Sequence, residues 1–172
     1  MQPRFAYVAP AFAVAAALWS ASPAHAAPYQ RFRIADKFAK TTPVPAKVLQ
    51  TLQKDAVVSA AWASSRKAGD KSTWASWFSA MPIDLNKDGK QDLLIKSTRP
   101  ELMLGTRGPF WVFLNGSSRP ALRATTFAMR VLNSTKSGYR DLRSETVNGT
   151  TISTTLYQWN GKTYSVPTLM MR

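Results

Sequence analysis

Two kinds of hydrophobic spacing divide the chain. After Pro45, apolar residues recur every three or four positions, as on one face of an α-helix, at Leu49, Leu52, Ala56, Ala60 and Ala63. Val48 and Trp62 widen this stripe, and Gly69 follows the last basic residues as a helix stop. The pattern therefore predicts one helix over residues 46–66.

Strand-forming residues dominate after residue 86, and three Asn-Gly pairs interrupt them, at 115–116, 148–149 and 160–161. Asn-Gly favours a two-residue type I′ hairpin loop, because both residues accept a positive φ. We therefore expect a mostly antiparallel β-meander of about five to seven strands. The predicted fold class is α+β, with an N-terminal helix packed on this meander.

Two of the Asn-Gly pairs predict a strand register. A two-residue loop at the last pair places Tyr157 opposite Tyr164, an aromatic cross-strand pair that stabilises a hairpin. The same loop at the middle pair places Val147 opposite Thr150.

The first residues follow a different pattern, that of an export signal. Arg4 precedes an apolar, alanine-rich run over residues 5–19, and small residues then end in Ala24-His25-Ala26. This order is typical of a cleavable signal peptide, and the run is short and alanine-rich for a transmembrane helix, which is the alternative. We predict a signal peptide over residues 1–26 and a periplasmic or secreted protein.

The rest of the chain has the length of one domain. We expect an extended lead-in over residues 27–44, marked by Pro43 and Pro45, and a single α+β domain over residues 45–172. The chain has no cysteine, so disulfides do not stabilise it.

Composition excludes several kinds of chemistry. The only histidine is His25, inside the predicted signal peptide. The mature chain therefore lacks Ser-His-Asp and Cys-His catalysis and the usual zinc and copper ligands. The full chain carries a net charge of +14, which favours anionic partners; general solubility is the alternative explanation.

The stretch "IDLNKDGKQDLLI" concentrates oxygen-bearing side chains. They alternate over nine residues, at Asp84, Asn86, Asp88 and Asp92. Gly89 permits a sharp turn, and the backbone carbonyl of Lys90 offers a further oxygen. Calcium takes about six to eight such oxygen ligands, so the spacing predicts a calcium loop; an Asx-rich turn without metal is the alternative.

The loop differs from an EF-hand, whose twelfth position is a bidentate glutamate, because Ile95 stands there. "DLNKDGKQDLLI" instead resembles the calcium loop of FG-GAP/VCBS-type repeats. The resemblance implies calcium ligation by the side chains of Asp84, Asn86, Asp88 and Asp92 and the carbonyl of Lys90. A propeller of several such repeats is not expected, because the chain has one loop. We predict that the ion is structural, tying strands together.

Two further groups of residues are candidates for other functions. Arginines interleave with aromatic residues along the predicted strands, namely Arg119, Arg123, Arg130, Arg140 and Arg143 with Trp111, Phe113, Tyr139 and Trp159. Such residues can stack on bases or sugars, although aromatics in the core and arginines on the wet face explain them as well. Asp141 and Glu145, four apart on a strand, share a face and are the candidate acids of a hydrolase.

We therefore expect an exported, non-enzymatic, calcium-binding domain that binds anionic envelope material or a protein partner. A small polymer hydrolase that uses Asp or Glu is the first alternative, and a basic nucleic-acid-binding module is the second.

Overall fold

The computed structural model describes residues 30–167. The predicted signal peptide, residues 1–26, lies outside these residues. The described part of the chain forms two α-helices, two short 3₁₀ helices and nine strands in two antiparallel sheets. The prediction of a mixed α+β fold dominated by antiparallel strands is confirmed. The prediction of one meander is wrong, since the strands divide between two sheets.

The elements follow one another along the chain with these bounds: β1 Gln30–Arg33, α1 Ala46–Gln53, α2 Ala56–Lys67, a 3₁₀ helix Trp74–Trp77, β2 Phe78–Ile83, β3 Asp92–Ser97, a 3₁₀ helix Pro100–Leu102, β4 Gly108–Phe113, β5 Pro120–Thr126, β6 Ala128–Lys136, β7 Tyr139–Asn148, β8 Thr151–Trp159 and β9 Tyr164–Ser165.

The first sheet has the order β2-β3-β4-β5, and the second has the order β1-β6-β7-β8-β9. The single residue Phe127 carries the chain from the first sheet to the second. Its N–H donates to the carbonyl of Glu145, and its carbonyl accepts the N–H of Ile34. β1, from the segment preceding the helices, pairs with β6 and is part of the second sheet.

Two hydrophobic clusters hold three layers together. The cluster between the sheets contains residues of both, among them Leu94, Phe110, Met129 and Leu142. The other cluster lies between the first sheet and the helices and includes Val48, Leu52, Trp77, Ile95 and Trp111. β3 and β4 are buried at every position, because the helices cover one face of the first sheet and the second sheet covers the other.

The predicted single helix is wrong, because the chain forms two helices that meet at Asp55. The side chain of Asp55 accepts the N–H groups of Val57 (3.1 Å) and Val58 (3.3 Å) and so begins α2 as an N-cap. The helical spacing continues through this break, and it therefore gave no sign of it.

Gly69 ends α2 as predicted. Its φ is +88°. Its N–H donates to the carbonyl of Arg66, and the N–H of Asp70 donates to the carbonyl of Ser65. These two bonds are the pair that closes a Schellman motif, in which glycine is favoured by its left-handed backbone.

Both registers predicted for the Asn-Gly hairpins are wrong. Asn148 pairs with Thr151, so the middle loop consists of residues 149–150. In the last hairpin, Trp159 faces Tyr164 across a loop of residues 160–163.

Side-chain hydrogen bonds explain the longer last loop. The Asn160 side-chain oxygen accepts the N–H groups of Lys162 (3.0 Å) and Thr163 (2.9 Å), and this bonding holds four residues in the turn. Trp159, and not Tyr157, therefore pairs with Tyr164 of β9. Tyr157 pairs with Leu142 of β7 on the opposite edge of β8.

Asn115 and Gly116 have the expected positive φ values, +42° and +70°, but the predicted two-residue loop is wrong, because they lie within a loop of residues 114–119. Ser137-Gly138 is another two-residue loop of the second sheet, also with positive φ, between paired Lys136 and Tyr139. Sequence reasoning missed this loop because serine is a weaker signal for the left-handed backbone than asparagine.

Candidate functional site

The predicted calcium loop connects two neighbouring strands. β2 ends at Ile83, β3 begins at Asp92, and these two residues pair across the ladder. Residues 84–91 therefore form the loop of an antiparallel hairpin, as the strand-like flanks indicate. All five predicted ligand residues, Asp84, Asn86, Asp88, Lys90 and Asp92, lie within this loop or at its closing residue.

Asp84 curls the start of the loop around its carboxylate. One oxygen accepts the N–H of Lys87 at 2.6 Å, and the other accepts the N–H of Gly89 at 3.2 Å. Lys87 and Gly89 both have positive φ, 59° and 76°, which turns their N–H groups inward. Glycine is at ease in this conformation, whereas lysine is uncommon there.

Asn86 and Asp88 form a second set of contacts in the middle of the loop. The Asn86 amide donates to one oxygen of Asp88 at 2.9 Å, and the N–H of Lys90 donates to the other at 2.8 Å. These two hydrogen bonds hold the pKa of the Asp88 carboxyl below its ordinary value, and the bond from the N–H of Lys90 has the larger effect. Asp88 is therefore a carboxylate throughout the neutral range, which is the form that ligates metal.

Asp92 is the buried end of the loop, with 2% of its surface exposed. Its two oxygens accept the N–H of Leu85 at 3.0 Å and the N–H of Asn115 at 2.9 Å. Burial raises the pKa of Asp92, the two N–H groups oppose that rise, and the charges of Asp88 and Asp84 add to it. Asp92 thus connects the loop to β4 and its following turn.

Leu85 anchors the loop, and sequence reasoning missed it. Its side chain is fully buried in the cluster between the sheets. Its carbonyl accepts the N–H of Arg140 from the second sheet at 2.7 Å. The available signal was one leucine within a run of polar residues, a position where an apolar side chain is expected only if it packs inward.

Within residues 30–167, no three or more His, Cys, Asp or Glu side chains converge in a ready-made metal cluster. The loop carboxylates are instead turned towards N–H groups of their own hairpin. Each carboxylate oxygen has two lone pairs, so an oxygen that accepts one N–H keeps a lone pair for a cation. The donor set is entirely oxygen, which is the chemistry that calcium requires.

Four loops lie at the same end of the two sheets, namely residues 84–91, 114–119, 137–138 and 160–163. In the first sheet, Leu93 pairs with Phe113, which sets the first two loops side by side. In the second sheet, Leu142 pairs with Tyr157, which sets the other two loops at one end. The bond between the sheets at Leu85 joins the two sets, and we call this group the loop end.

Asp141 and Glu145 lie four residues apart on the same face of β7, and both are buried. Glu145 is held by two arginines, Arg31 (2.6 Å) and Arg130. Asp141 accepts hydrogen bonds through one oxygen, from Ser134 and Gln158. Its other oxygen, Oδ1, is buried without a hydrogen-bond partner in the described part of the chain.

The aromatic residues of the predicted arginine and aromatic group lie in two different environments. Trp111 and Phe113 are core residues with 1% exposure, as the simpler explanation expects. Tyr139 and Trp159 are half-buried at the loop end, and their rings lie 4.8 Å apart. The aromatic residues therefore divide between the core and the surface.

A comparison of the chain with family models, with curated proteins and with solved structures finds no match. Neither of the described helices has the length and hydropathy needed to cross a bilayer.

Proposed function

We propose that this protein is a non-catalytic calcium-binding domain in which the ion is structural, and that it works by binding anionic material of the cell envelope. The observation that carries the proposal is the hairpin loop at residues 84–92. It combines three carboxylates, an amide oxygen and a backbone carbonyl at D-x-N-x-D-G-x-x-D spacing.

The position of the loop supports a structural role for the ion. Three carboxylates in one short loop repel each other, and a divalent cation offsets that repulsion. Two of them, Asp84 and Asp88, are at the surface, while Asp92 is buried and bonded to the neighbouring loop. Calcium binding energy would therefore stabilise the fold at the point where the two sheets meet.

The charge of the protein supports an anionic partner. The full chain has 23 Lys and Arg against 9 Asp and Glu, so its field attracts polyanions over distances set by the salt concentration. Several arginines are already paired, for example Arg31 with Glu145 and Arg123 with Asp55. The unpaired cations are therefore the ones available to a partner.

Thermal melting in calcium and in chelator tests the calcium site. For the weak affinity of extracellular modules, about 10 mM calcium adds about 1–3 kcal/mol and raises Tm by about 3–10 °C. Asp88→Ala is expected to abolish this rise. Asp36→Ala, which removes another surface carboxylate outside the loop, is the control and should keep it. Identical melting curves of the native protein in calcium and in chelator would refute the site.

We propose that this role is outside the cytoplasm, because residues 1–26 have the pattern of a signal peptide. Fractionation of the producing cells, followed by N-terminal sequencing of the protein, tests this. The expected first residue of the exported protein is Ala27. An uncleaved N-terminus in the cytoplasmic fraction contradicts export.

A polymer hydrolase is the second candidate, and the buried, unpartnered oxygen of Asp141 is the observation in its favour. The Glu145 carboxylate is already bound by two arginines, Arg31 and Arg130, so Asp141 is the acid that this candidate would use. A screen against polymeric glycans, comparing the native protein with Asp141→Asn, separates the candidates. Turnover that disappears in Asp141→Asn would establish the hydrolase.

A further inference from the structure

A cleft of about 250 Å³ opens at the loop end, between the two sheets. Its walls come from two of the four loops, 114–119 and 160–163, and from the strands next to them, with Leu114, Ser117, Arg119, Tyr139, Trp159 and Lys162 around it. The cleft is smaller than pockets for drug-sized ligands, which hold about 300–1,000 Å³. It admits one ring of a longer ligand.

One wall of the cleft is aromatic and rigid. The rings of Tyr139 and Trp159 lie 4.8 Å apart and are tilted by 38°. Tyr164 supports Trp159 from the other side, edge to face at 5.6 Å, and is itself 5% exposed. The Tyr164 hydroxyl donates to the carbonyl of Arg140 at 2.9 Å. Trp159 is therefore held in place before any ligand arrives.

The cleft also carries two cations that have no ion pair and no side-chain hydrogen bond within residues 30–167, those of Arg119 and Lys162. Both are exposed, and both stand on ordered turns. The Ser117 hydroxyl accepts the N–H of Arg119 at 3.0 Å, and the Asn160 side chain accepts the N–H of Lys162 at 3.0 Å. Ordered backbones place the two charges beside the aromatic wall.

We propose that this cleft binds a carboxylated sugar unit of an acidic saccharide. The C–H groups of a sugar ring pack on aromatic side chains, and its hydroxyls suit the exposed Ser117 at the rim. A guanidinium binds a carboxylate through two parallel hydrogen bonds, which assigns that role to Arg119, with Lys162 as a second charge. The proposal rests on the proposed function, since it names the anionic partner and its site.

The shape of the cleft favours a sugar over the other polyanions. A nucleobase stacks on a flat, open ring face. Here the two rings are tilted together and half-buried, so they form a short wall. An acidic peptide would use the cations and leave the aromatic wall unused. Only a ligand with both a ring and a carboxylate uses the whole cleft.

Calorimetric titration of the full mature chain with four matched probes tests the proposal. A hyaluronan hexasaccharide supplies rings and carboxylates, chitohexaose supplies rings alone, hexaglutamate supplies carboxylates alone, and a short oligodeoxynucleotide supplies bases and phosphates. The hexasaccharide is expected to bind at least about tenfold more tightly than each of the other three, which corresponds to one additional charge-assisted contact or ring contact.

Two double variants with equal charge changes locate the site. Arg119→Gln with Lys162→Gln should weaken hexasaccharide binding by at least about tenfold. Lys67→Gln with Lys71→Gln, at exposed positions at the end of α2 and in the segment after it, should change it less than about twofold, because only the general field is altered. Trp159→Ala should also weaken binding, and Trp159→Phe should retain most of it. Melting curves verify that each variant is folded.

The outcomes separate this inference from the proposed function. Equal binding of hexasaccharide, hexaglutamate and oligonucleotide, or equal loss in the two double variants, shows general charge attraction and overturns the cleft while anion binding stands. Tighter binding of the oligonucleotide overturns the saccharide. If no anion binds, the inference and the binding role both fail. The calcium-dependent melting shift, measured on the same samples, reports on the metal site independently.

Discussion

Lys96 is a buried cation held by backbone oxygens. It is 4% exposed, and its ammonium donates to the carbonyls of Arg33 (3.3 Å), Ile34 (2.8 Å) and Asp36. Burial lowers the pKa of Lys96, and the negative charge of Asp36 opposes that shift. All three ammonium protons are used, so Lys96 anchors the segment after β1 and has no lone pair for nucleophilic chemistry.

Lys96→Met should lower the free energy of unfolding by about 2–4 kcal/mol, because it removes a buried charged donor from the buried carbonyl of Ile34 and the partly buried carbonyl of Asp36. Urea unfolding at neutral pH measures the change. Lys37→Met, at an exposed position in the same segment, is the control and should stay within about 0.5 kcal/mol. A Lys96→Met variant as stable as the control would show that the ammonium is not an anchor.

Asp70 has a strongly stabilised charge near the end of α2. The N–H and hydroxyl of Ser72 and the hydroxyl of Ser65 donate to it, and these bonds, with the charge of Arg99, hold the pKa of Asp70 at about 2. Because the folded pKa is below the ordinary one, the native state favours the carboxylate. The Asp70 carboxylate therefore contributes to the stability of the fold at pH values above the ordinary aspartate pKa, and this contribution is lost as the pH falls towards 2.

Asp70→Asn should therefore be less stable than the native protein at pH 7, and the difference should shrink between pH about 4 and about 2. Urea unfolding of both proteins across this range measures the difference directly, since the other acids titrate in both. Ser72→Ala should raise the pKa of Asp70 in an NMR titration. A difference that does not change with pH would contradict the assignment.

At this scale, the sequence predicted which residues carry oxygen but not how they are held. The alternation of Asp84, Asn86, Asp88 and Asp92 was visible without a structure. The hydrogen bond from the N–H of Asn115 to Asp92 was not, since Asn115 lies in another loop of the fold. Contacts between residues distant in sequence leave no periodic signal.

Asp55 shows how one residue divides an element. It caps α2, and its carboxylate also contacts the guanidinium of Arg123 on β5 at 2.5 Å. The stripe from Leu52 to Ala56 keeps helical spacing across this position, so periodicity alone predicts continuity. Aspartate between two helical segments is an N-cap signal, and it outweighs spacing where the two disagree.

Asp55→Ala should destabilise the protein by about 1–2 kcal/mol through loss of the cap, with at most about 1 kcal/mol more from the ion pair with Arg123. Asp55→Asn keeps an oxygen that can cap α2 and loses the ion pair, so it should fall between Asp55→Ala and the native protein. Urea unfolding, monitored by the circular dichroism of the helices, measures the stability of both variants. Equal stability of the two would assign the effect to the ion pair and count against the cap.

The registers predicted for the hairpins were wrong for a related reason. Asn-Gly predicts a turn, and turns do occur at Asn115, Asn148 and Asn160. Loop length, however, depends on which acceptor the asparagine side chain provides. At Asn160 that acceptor holds two N–H groups and lengthens the loop, which shifts the register against the expectation.

The three-layer arrangement had a partial signal in the sequence. β3 and β4 read "DLLIKS" and "GPFWVF", without the alternation of a strand that has one wet face. Unbroken apolar runs, residues 93–95 in β3 and 109–113 in β4, indicate strands covered on both sides, and the helices and the second sheet provide this cover. The division into two sheets was not predictable, because the crossing occupies only Phe127.

The loop end couples the candidate metal site to the rest of the molecule. Asp92 accepts N–H groups of the 84–91 loop and of the 114–119 loop, and the carbonyl of Leu85 accepts an N–H of the second sheet. A cation on the loop oxygens would favour the closed arrangement of all three. The proposed saccharide cleft shares one of these loops, so order in the loop favours order in the cleft.

This coupling predicts a local pattern of amide hydrogen exchange. At a calcium concentration about ten times Kd, exchange at the N–H groups of Leu85, Asn115 and Arg140 should slow by up to about tenfold, because opening of the loop end then requires release of the ion. NMR-detected hydrogen exchange of the protein measures it. The N–H of Phe127, bonded to Glu145 at the opposite end of the sheets, should change less. Asp88→Ala should remove the calcium effect at all three positions. Slowed exchange at Leu85 alone would confine the ion's influence to its own hairpin, and slowing that persists in Asp88→Ala would place the ion elsewhere.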